Sequence, residues 1–143
     1  MRKITIHSKI KNYDVKIDKK ILNLIKLELS KDKNYFFVID NKLVNKYESK
    51  IKKILPHSNF YAIEGGEKIK SLSAYKKIIN KLNSINFSKK DILVAFGGGT
   101  VTDLIGYVAA TYKRGTNLIL IPTTTLAMVD ASVGGKNAIN VKG

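Results

Sequence analysis

The sequence predicts an α/β fold in which a mostly parallel β-sheet is covered by helices on both faces. Short runs of almost entirely apolar residues predict the strands, and they lie at residues 35–39, 60–63, 92–96 and 118–121. Segments with apolar residues at helical spacing separate these runs. A strand that is apolar throughout is typical of a parallel sheet buried on both faces, and helices then connect its strands.

The remaining elements follow from local periodicity. Residues 3–7 and 13–17 alternate apolar and polar side chains, which predicts a half-buried antiparallel pair of strands. Apolar residues at a spacing of three or four predict the helices, and these lie at residues 21–29, 43–55, 72–82, 101–109 and 125–132. No linker, repeat or low-complexity segment interrupts this order, so we expect a single domain, residues 1–143.

Composition restricts the class of protein. The chain has 143 residues, of which 44% are hydrophobic and 26% charged, as in an ordinary globular domain. It contains no cysteine, which excludes a disulfide framework and a thiolate metal site. No apolar run approaches the ~20 residues of a membrane span, and the first residues lack the apolar stretch of a signal peptide. We therefore expect a cytoplasmic protein without a membrane partner.

The net charge of +15 raises the question of nucleic-acid binding. Only Arg2 and Arg114 are arginine, whereas nucleic-acid readers rely on the bidentate arginine fork. The lysines are spread along amphipathic helices and do not cluster with aromatic residues. We interpret them as a solvated surface whose field favours small anions, and we expect no nucleic-acid partner.

A glycine-rich segment, Gly97-Gly-Gly-Thr-Val-Thr-Asp103, follows a predicted strand and opens a helix. Glycines let the backbone approach a phosphate closely, and the first N–H groups of a helix favour an anion. Asp103 lies off the apolar face of that helix, where its carboxylate either meets ligand hydroxyls or stabilises the helix start. The segment is not the usual GxGxxG fingerprint, but its strand–glycine–helix setting favours nucleotide binding over a plain tight turn.

A second polar turn, residues 65–71, also follows a predicted strand. Within it, Glu67 is able to hydrogen-bond a ribose and Lys70 is able to reach a phosphate. Taken alone, the turn is more simply a helix start with Ser71 or Ser73 as N-cap.

Isolated polar residues carry less information. Asp40 ends a predicted strand and is ambiguous by itself. His7 and His57 have no histidine or carboxylate partners at metal-ligand spacing. We therefore predict no metal ligands in this chain.

The strongest functional signal is the segment of residues 122–136. Thr123 and Thr124 follow directly on an apolar strand, and a lone carboxylate, Asp130, lies six residues before a lone ammonium, Lys136. The residues between them are small, too polar and too glycine-rich for plain core, so the segment is predicted to wrap a polar ligand. All these motifs lie at predicted strand ends, and in open α/β sheets ligands bind at the carboxyl ends of the strands.

At these residues the sequence resembles the 3-dehydroquinate synthases, enzymes of the shikimate pathway. The matches run in the family's order and spacing from about residue 35 onward. They are Gly66-Glu67-x-x-Lys70-Ser71, Gly97-Gly-Gly-x-Val-x-Asp103-Leu, Ala109-Ala-Thr-Tyr-x-Arg114-Gly115, Pro122-Thr-Thr and Val129-Asp130-x-Ser-Val-Gly-Gly-Lys136. Several independent motifs in register are a specific signal.

The resemblance implies a Rossmann-like domain that binds NAD. The residues it implies for the cofactor are Asp40, Gly65, Gly66, Glu67, Lys70, Gly98, Gly99, Thr100, Val101, Thr102, Asp103, Thr123, Thr124 and Lys136. It implies that Asp130, Lys136 and Asn140 line the cleft where nicotinamide meets the substrate. Arg114 is implied to reach the neighbouring subunit's site in a homodimer.

The implied substrate is a sugar phosphate, 3-deoxy-D-arabino-heptulosonate 7-phosphate. NAD transiently oxidises one of its alcohols, phosphate leaves, the hydride returns, and an aldol step closes the ring of 3-dehydroquinate. Zinc or cobalt acts in the family as a Lewis acid. Its ligands, a glutamate and two histidines, belong to a carboxyl-terminal helical domain that we expect to be absent from this chain. The chain is then the NAD-binding half, inactive by itself.

Two positions depart from the family pattern. Thr102 stands where glycine is usual, and a β-branched side chain there is expected to crowd the phosphate loop. Asn137 replaces the usual threonine or valine after the lysine.

The residues leave other functions open. A related sugar-phosphate cyclase, of the valiolone or deoxy-inosose synthase type, shares these NAD motifs. A non-catalytic dinucleotide-binding remnant is a second alternative, although it has no need to keep both Asp130 and Lys136. A basic nucleic-acid-binding module is the third.

Overall fold

A computed structural model describes residues 1–9, 12–135 and 137–141 of the chain. The first two strands, β1 (Arg2–Ile6) and β2 (Tyr13–Ile17), pair antiparallel in a sheet of their own, as predicted. The main sheet has four parallel strands, which are β3 (Tyr35–Asp40), β4 (Ser58–Ile63), β5 (Ile92–Gly97) and β6 (Asn117–Pro122). Their order across the sheet is β4-β3-β5-β6.

The helices lie where the apolar spacing predicts them. They are α1 (Ile21–Glu28), α2 (Asn41–Ile54), α3 (Leu72–Ser84) and α4 (Gly99–Thr111), with short 3₁₀ turns at Glu67–Ile69 and Tyr112–Arg114. The short helix predicted at residues 125–132 is mostly a π-helical turn, Ala127–Ala131. In the part of the chain that the structure describes, no helix is both long and apolar enough to cross a bilayer.

Alternate residues of the parallel strands fill two separate cores. Phe36 and Val38 are buried on the face that α3 and α4 cover, together with Leu104. Phe37 and Ile39 are buried on the opposite face, which α1 and α2 cover. Since both faces of the central strands β3 and β5 are buried, these two strands are continuous apolar runs and do not alternate with polar residues.

The strand order places a crevice at the carboxyl ends of the strands. From β3 the chain passes through α2 to β4 on one side, and then through α3 to β5 on the other side of β3. The connections therefore diverge between β3 and β5, which is the topological switch point where such sheets bind ligands. The loops after the parallel strands all open at this edge.

Ser71 fixes the start of α3 at this edge. Its Oγ accepts a hydrogen bond from the N–H of Ala74 at 3.3 Å, which identifies Ser71, and not Ser73, as the N-cap. We expect Ser71→Ala to lower the free energy of unfolding by about 1 kcal/mol, measured by urea titration. The matched change Ser73→Ala in the exposed first turn should cost less than about 0.5 kcal/mol. Equal losses in the two variants would contradict the cap assignment.

Candidate cofactor and substrate site

The loop after β4 passes directly over the end of β3. A Cβ atom on Gly65 would lie 2.4 Å from Oδ2 of Asp40, so any other residue there would displace the Asp40 carboxylate. Oδ1 of Asp40 accepts the N–H of Lys42 at 3.0 Å and thereby caps α2. The Asp40 carboxylate is thus held in place between a helix start and a glycine.

The same loop is tied to the start of α4. The N–H of Gly66 donates to Oγ1 of Thr100 at 3.1 Å. Gly66 has φ of +128°, a conformation that glycine adopts without strain. The side chain of Thr100 therefore serves to join two of the loops that surround the crevice.

The start of α4 presents bare backbone to the crevice. Gly98 is its N-cap, and the N–H groups of Val101 and Thr102 both donate to the Gly98 carbonyl at 3.1 Å. The earlier N–H groups, at Gly99 and Thr100, belong to the open end of the helix, where intrahelical acceptors are missing. A Cβ on Gly98 would come within 3.3 Å of the methyl group of Thr124, so any side chain would narrow the crevice. These features fit the phosphates of a dinucleotide.

Thr102 does not crowd this loop, contrary to the expectation from its β-branched side chain. Thr102 and Val101 are fully buried on the core side of α4. Oγ1 of Thr102 donates to the carbonyl of Gly99 at 2.9 Å. Neither side chain is accessible from the crevice, so these two predicted cofactor residues face the core.

The loop after β6 forms the far wall of the crevice. The N–H of Thr123 donates to the carbonyl of Gly97 at 2.9 Å, which extends the pairing of β5 and β6 by one residue. Oγ1 of Thr124 accepts the N–H of Ala127 at 3.3 Å. Both threonines are exposed beside the glycine loop, as the sequence predicts for residues at the end of a strand.

A charged cluster lies beside the glycine loop. Nζ of Lys70 is 3.0 Å from Oδ2 of Asp103 and 3.6 Å from Oε1 of Glu67. The side chains of Lys70 and Asp103 are only 17% and 19% exposed, whereas that of Glu67 is 65% exposed. The hydrogen bond to Asp103 raises the pKa of Lys70 against the opposing effect of burial, so Lys70 keeps its positive charge at neutral pH.

Asn140 joins this cluster from the far end of the chain. Its Nδ2 donates to Oε1 of Glu67 at 3.0 Å, and its N–H donates to the carbonyl of Lys70 at 2.7 Å. The Asn140 hydrogen bond is the main cause that lowers the pKa of Glu67. These residues line a depression of about 390 Å³, together with Lys68, Ser71, Leu72 and Val141. The structure therefore places Asn140 beside the predicted cofactor residues.

Asp130 lies in the π-helical turn with its side chain exposed. No hydrogen bond to its carboxylate occurs within residues 1–9, 12–135 and 137–141. Downstream, Gly134 has φ of +94°, and its N–H donates to the hydroxyl of Tyr13 in β2 at 2.9 Å. Lys136, predicted both for the cofactor and for catalysis, lies outside the described residues.

Arg114 lies near the amino-terminal ends of the parallel strands, opposite the crevice. It follows the carboxyl end of α4, whose 13 residues separate it from the glycine loop by about 20 Å. Lys113 and Arg114 have φ of +49° and +66°, a left-handed conformation that non-glycine residues rarely adopt. The structure does not bring Arg114 to the other predicted site residues of its own chain.

The described part of the chain contains no group of three or more histidine, aspartate or glutamate side chains able to hold a metal ion. The residues present therefore do not fit zinc or cobalt, and we assign no step to a metal here.

Gly106, Asn137 and Tyr13 contribute contacts that the sequence reasoning missed. A Cβ on Gly106 would lie 2.0 Å from Oδ1 of Asn137, so the Asn137 side chain rests on the bare backbone of α4. The available signal was an isolated glycine within an otherwise apolar helical stripe, which indicates close approach by another group. No sequence signal pointed to Tyr13.

Comparison with known proteins identifies the family of this chain. Residues 60–143, more than half of the chain, match the family model described as 3-dehydroquinate synthase N-terminal. The 3-dehydroquinate synthase of Natranaerobius thermophilus is 40% identical over 139 residues, which are 93% of this chain and 38% of that protein. That of Saccharolobus solfataricus is 50% identical over 91 residues, 64% of this chain and 26% of that protein. The chain thus spans well under half the length of these relatives.

Solved structures of sugar-phosphate cyclases share the fold. A 2-deoxy-scyllo-inosose synthase complexed with carbaglucose-6-phosphate, NAD⁺ and Co²⁺ has a TM-score of 0.86 at 21% identity. The match covers 98% of this chain and 40% of that one. A 2-epi-5-epi-valiolone synthase from Streptomyces hygroscopicus subsp. jinggangensis, with NAD⁺ and Zn²⁺ bound, has a TM-score of 0.79 at 25% identity, covering 96% and 39%.

Proposed function

The chain belongs to the 3-dehydroquinate synthase family, and from this premise we propose that it is the NAD-binding part of a 3-dehydroquinate synthase. The observation that carries the proposal is the crevice at the strand ends, where bare glycine backbone meets the Lys70–Asp103 pair. The proposed reaction converts 3-deoxy-D-arabino-heptulosonate 7-phosphate to 3-dehydroquinate and phosphate. When bound, NAD supplies a hydride acceptor that returns the hydride before the products leave.

In this proposal different loops bind different parts of NAD. The open N–H groups at Gly99 and Thr100 hold the pyrophosphate. Glu67 and Asp103 accept hydrogen bonds from ribose hydroxyls, because ionised carboxylates act only as acceptors. Lys70 holds the Asp103 carboxylate at 3.0 Å and offers its remaining N–H donors to the cofactor.

Asp130 and Lys136 act on the substrate in this proposal. The backbone of Gly99 lies close to Ala131, since a Cβ added there would be 3.7 Å from that of Ala131. This contact brings the turn that carries Asp130 next to the proposed pyrophosphate site. Asp130 then accepts a substrate hydroxyl, while Lys136 attracts its anionic groups.

The proposal extends to the whole enzyme. Arg114, remote from its own chain's crevice, serves the site of a second subunit in a homodimer. The enzyme is cytoplasmic and uses a divalent ion, zinc or cobalt, held by residues other than those described.

NAD titration of the purified 143-residue chain by calorimetry tests the proposal. We expect saturable one-to-one binding that 3-deoxy-D-arabino-heptulosonate 7-phosphate strengthens, because both ligands share one crevice. A chain that is folded by far-UV circular dichroism but does not bind NAD would contradict the cofactor assignment.

A related sugar-phosphate cyclase is the second candidate, and the structural likeness to the inosose and valiolone synthases favours it. The same titration with glucose 6-phosphate in place of the heptulosonate discriminates between them. Stronger NAD binding with glucose 6-phosphate alone would favour the inosose type. NAD binding that neither sugar phosphate changes would favour a dinucleotide-binding remnant.

A further inference from the structure

Asn140 attaches the segment of residues 137–141 to the turn that carries Glu67 and Lys70. Asn140 donates from its backbone to the Lys70 carbonyl at 2.7 Å and from its side chain to Glu67 at 3.0 Å. It also forms an isolated parallel β-bridge with Ser71. Backbone and side chain of Asn140 thus act on two different residues of the same turn.

Glu67 needs this contact to keep one orientation. It opens a single 3₁₀ turn, and its side chain is 65% exposed, so packing does not fix its rotamer. Nζ of Lys70 lies 3.0 Å from Oδ2 of Asp103 but 3.6 Å from Oε1 of Glu67, which is too long for a good hydrogen bond. Asn140 is therefore the nearest hydrogen-bond donor to Glu67 among the described residues.

The bond leaves Glu67 able to bind a ligand. A carboxylate has two oxygens and about four acceptor sites. Nδ2 of Asn140 uses one site on Oε1, so Oε2 stays available to a hydroxyl group.

We propose that Asn140 is a positioning residue that holds the Glu67 carboxylate for a ribose hydroxyl of NAD and so couples cofactor binding to the segment after Lys136. This inference rests on the proposed function. The coupling follows because the residue that orients Glu67 also pins this segment to Lys70. An occupied ribose site then favours the docked segment, and a docked segment favours the ribose site.

Calorimetric NAD titration of Asn140→Ala and Asn140→Asp tests the inference. Both substitutions keep the backbone N–H that binds Lys70. We expect Asn140→Ala to weaken NAD binding about fivefold, because NAD must then itself order the Glu67 side chain, at a cost of about the 1 kcal/mol that the Asn140 bond supplied. Asn140→Asp should weaken NAD binding more than about tenfold at pH 7, because a second carboxylate then faces Glu67. The control Asn80→Ala, on the exposed side of α3, should leave the Kd unchanged.

The pH dependence of NAD binding distinguishes a positioning role of Asn140 from a purely structural one. Among residues 1–9, 12–135 and 137–141, the charged groups near Glu67 are Lys70, its partner Asp103 and the neighbouring Lys68. Asn140 lowers the pKa of Glu67, so wild-type binding should persist to low pH and then fall as Glu67 takes up a proton. In Asn140→Ala the pKa of Glu67 returns toward its usual range, and NAD binding should fall at a higher pH.

Each outcome is decisive. Suppose that the wild type binds NAD normally and that Asn140→Ala changes neither the Kd nor the acid limb, which is the fall of NAD binding at low pH. That result would overturn the inference and leave the proposed function standing. No NAD binding by the wild type would overturn both. A weaker Kd with an unchanged acid limb would also overturn it, because the loss would then not act through Glu67.

Discussion

Asp103→Ala is expected to remove most of the NAD affinity of this chain. The Asp103 carboxylate binds Lys70 through Oδ2 at 3.0 Å, and within the described residues Oδ1 has no other partner. A ligand hydroxyl can therefore take Oδ1 while Lys70 holds Oδ2. A hydrogen bond to a charged group contributes about 1.5–3 kcal/mol, so its loss should weaken NAD by roughly 10- to 100-fold.

The same substitution should also destabilise the fold. Lys70 and Asp103 are both more than four-fifths buried, and removal of one partner leaves the other charge without its closest counterion. We expect the free energy of unfolding to fall by about 1–3 kcal/mol. Urea titration measures this, and far-UV circular dichroism shows whether the variant is folded under the conditions of NAD titration.

The alkaline limb of the stability curve provides a second readout. Asp103 raises the pKa of Lys70, so the pair contributes fully below the usual lysine pKa. That contribution is lost as pH rises through the raised pKa. Asp103→Ala should therefore lose less stability at high pH than the wild type does.

Lys70→Ala and the double variant show whether Asp103 binds NAD itself. If Asp103 only held Lys70, then Asp103→Ala would add nothing in the Lys70→Ala background. We expect a further loss of NAD affinity in that background. Asp103→Asn, which keeps a hydrogen-bonding oxygen but not the charge, should lie between the wild type and Asp103→Ala.

The fold was predictable because its signals are local. Strands buried on both faces must be apolar throughout, and Phe36 and Phe37 show this by filling opposite cores. Residues at strand ends, such as Asp40 and Thr123, were predictable for the site because parallel strands end at one edge.

The contacts that organise the site were not predictable from local pattern. Asn140 lies 73 residues from Glu67, and Gly134 lies 121 residues from Tyr13. Such pairs depend on how separate elements pack. The Thr102 expectation was wrong for a different reason: it considered the residue type and not the rotation of α4, which turns Thr102 toward the core beside Ile105.

Gly106→Ala is expected to displace the Asn137 segment from α4. In an ordinary helix interior, alanine in place of glycine stabilises by about 1 kcal/mol. Here the new Cβ would lie 2.0 Å from Oδ1 and 2.2 Å from Cγ of Asn137. Overpacking of this kind costs about 1–3 kcal/mol, so we expect the helix gain to be cancelled or reversed in urea titrations.

The double variant with Asn137→Ala identifies the cause. Once the Asn137 amide is gone, the Cβ of residue 106 has room, and Gly106→Ala should stabilise by about 1 kcal/mol. Asn137→Ala alone should cost little, because Oδ1 is buried without a hydrogen-bond partner in the described part of the chain. If Gly106→Ala changed the free energy of unfolding equally with and without Asn137→Ala, the contact with Asn137 would not be the cause. Asn140 lies on the displaced segment, so NAD affinity should fall in Gly106→Ala, as we expect it to fall in Asn140→Ala. Such a fall would show that the cofactor site depends on the docking of this segment against α4.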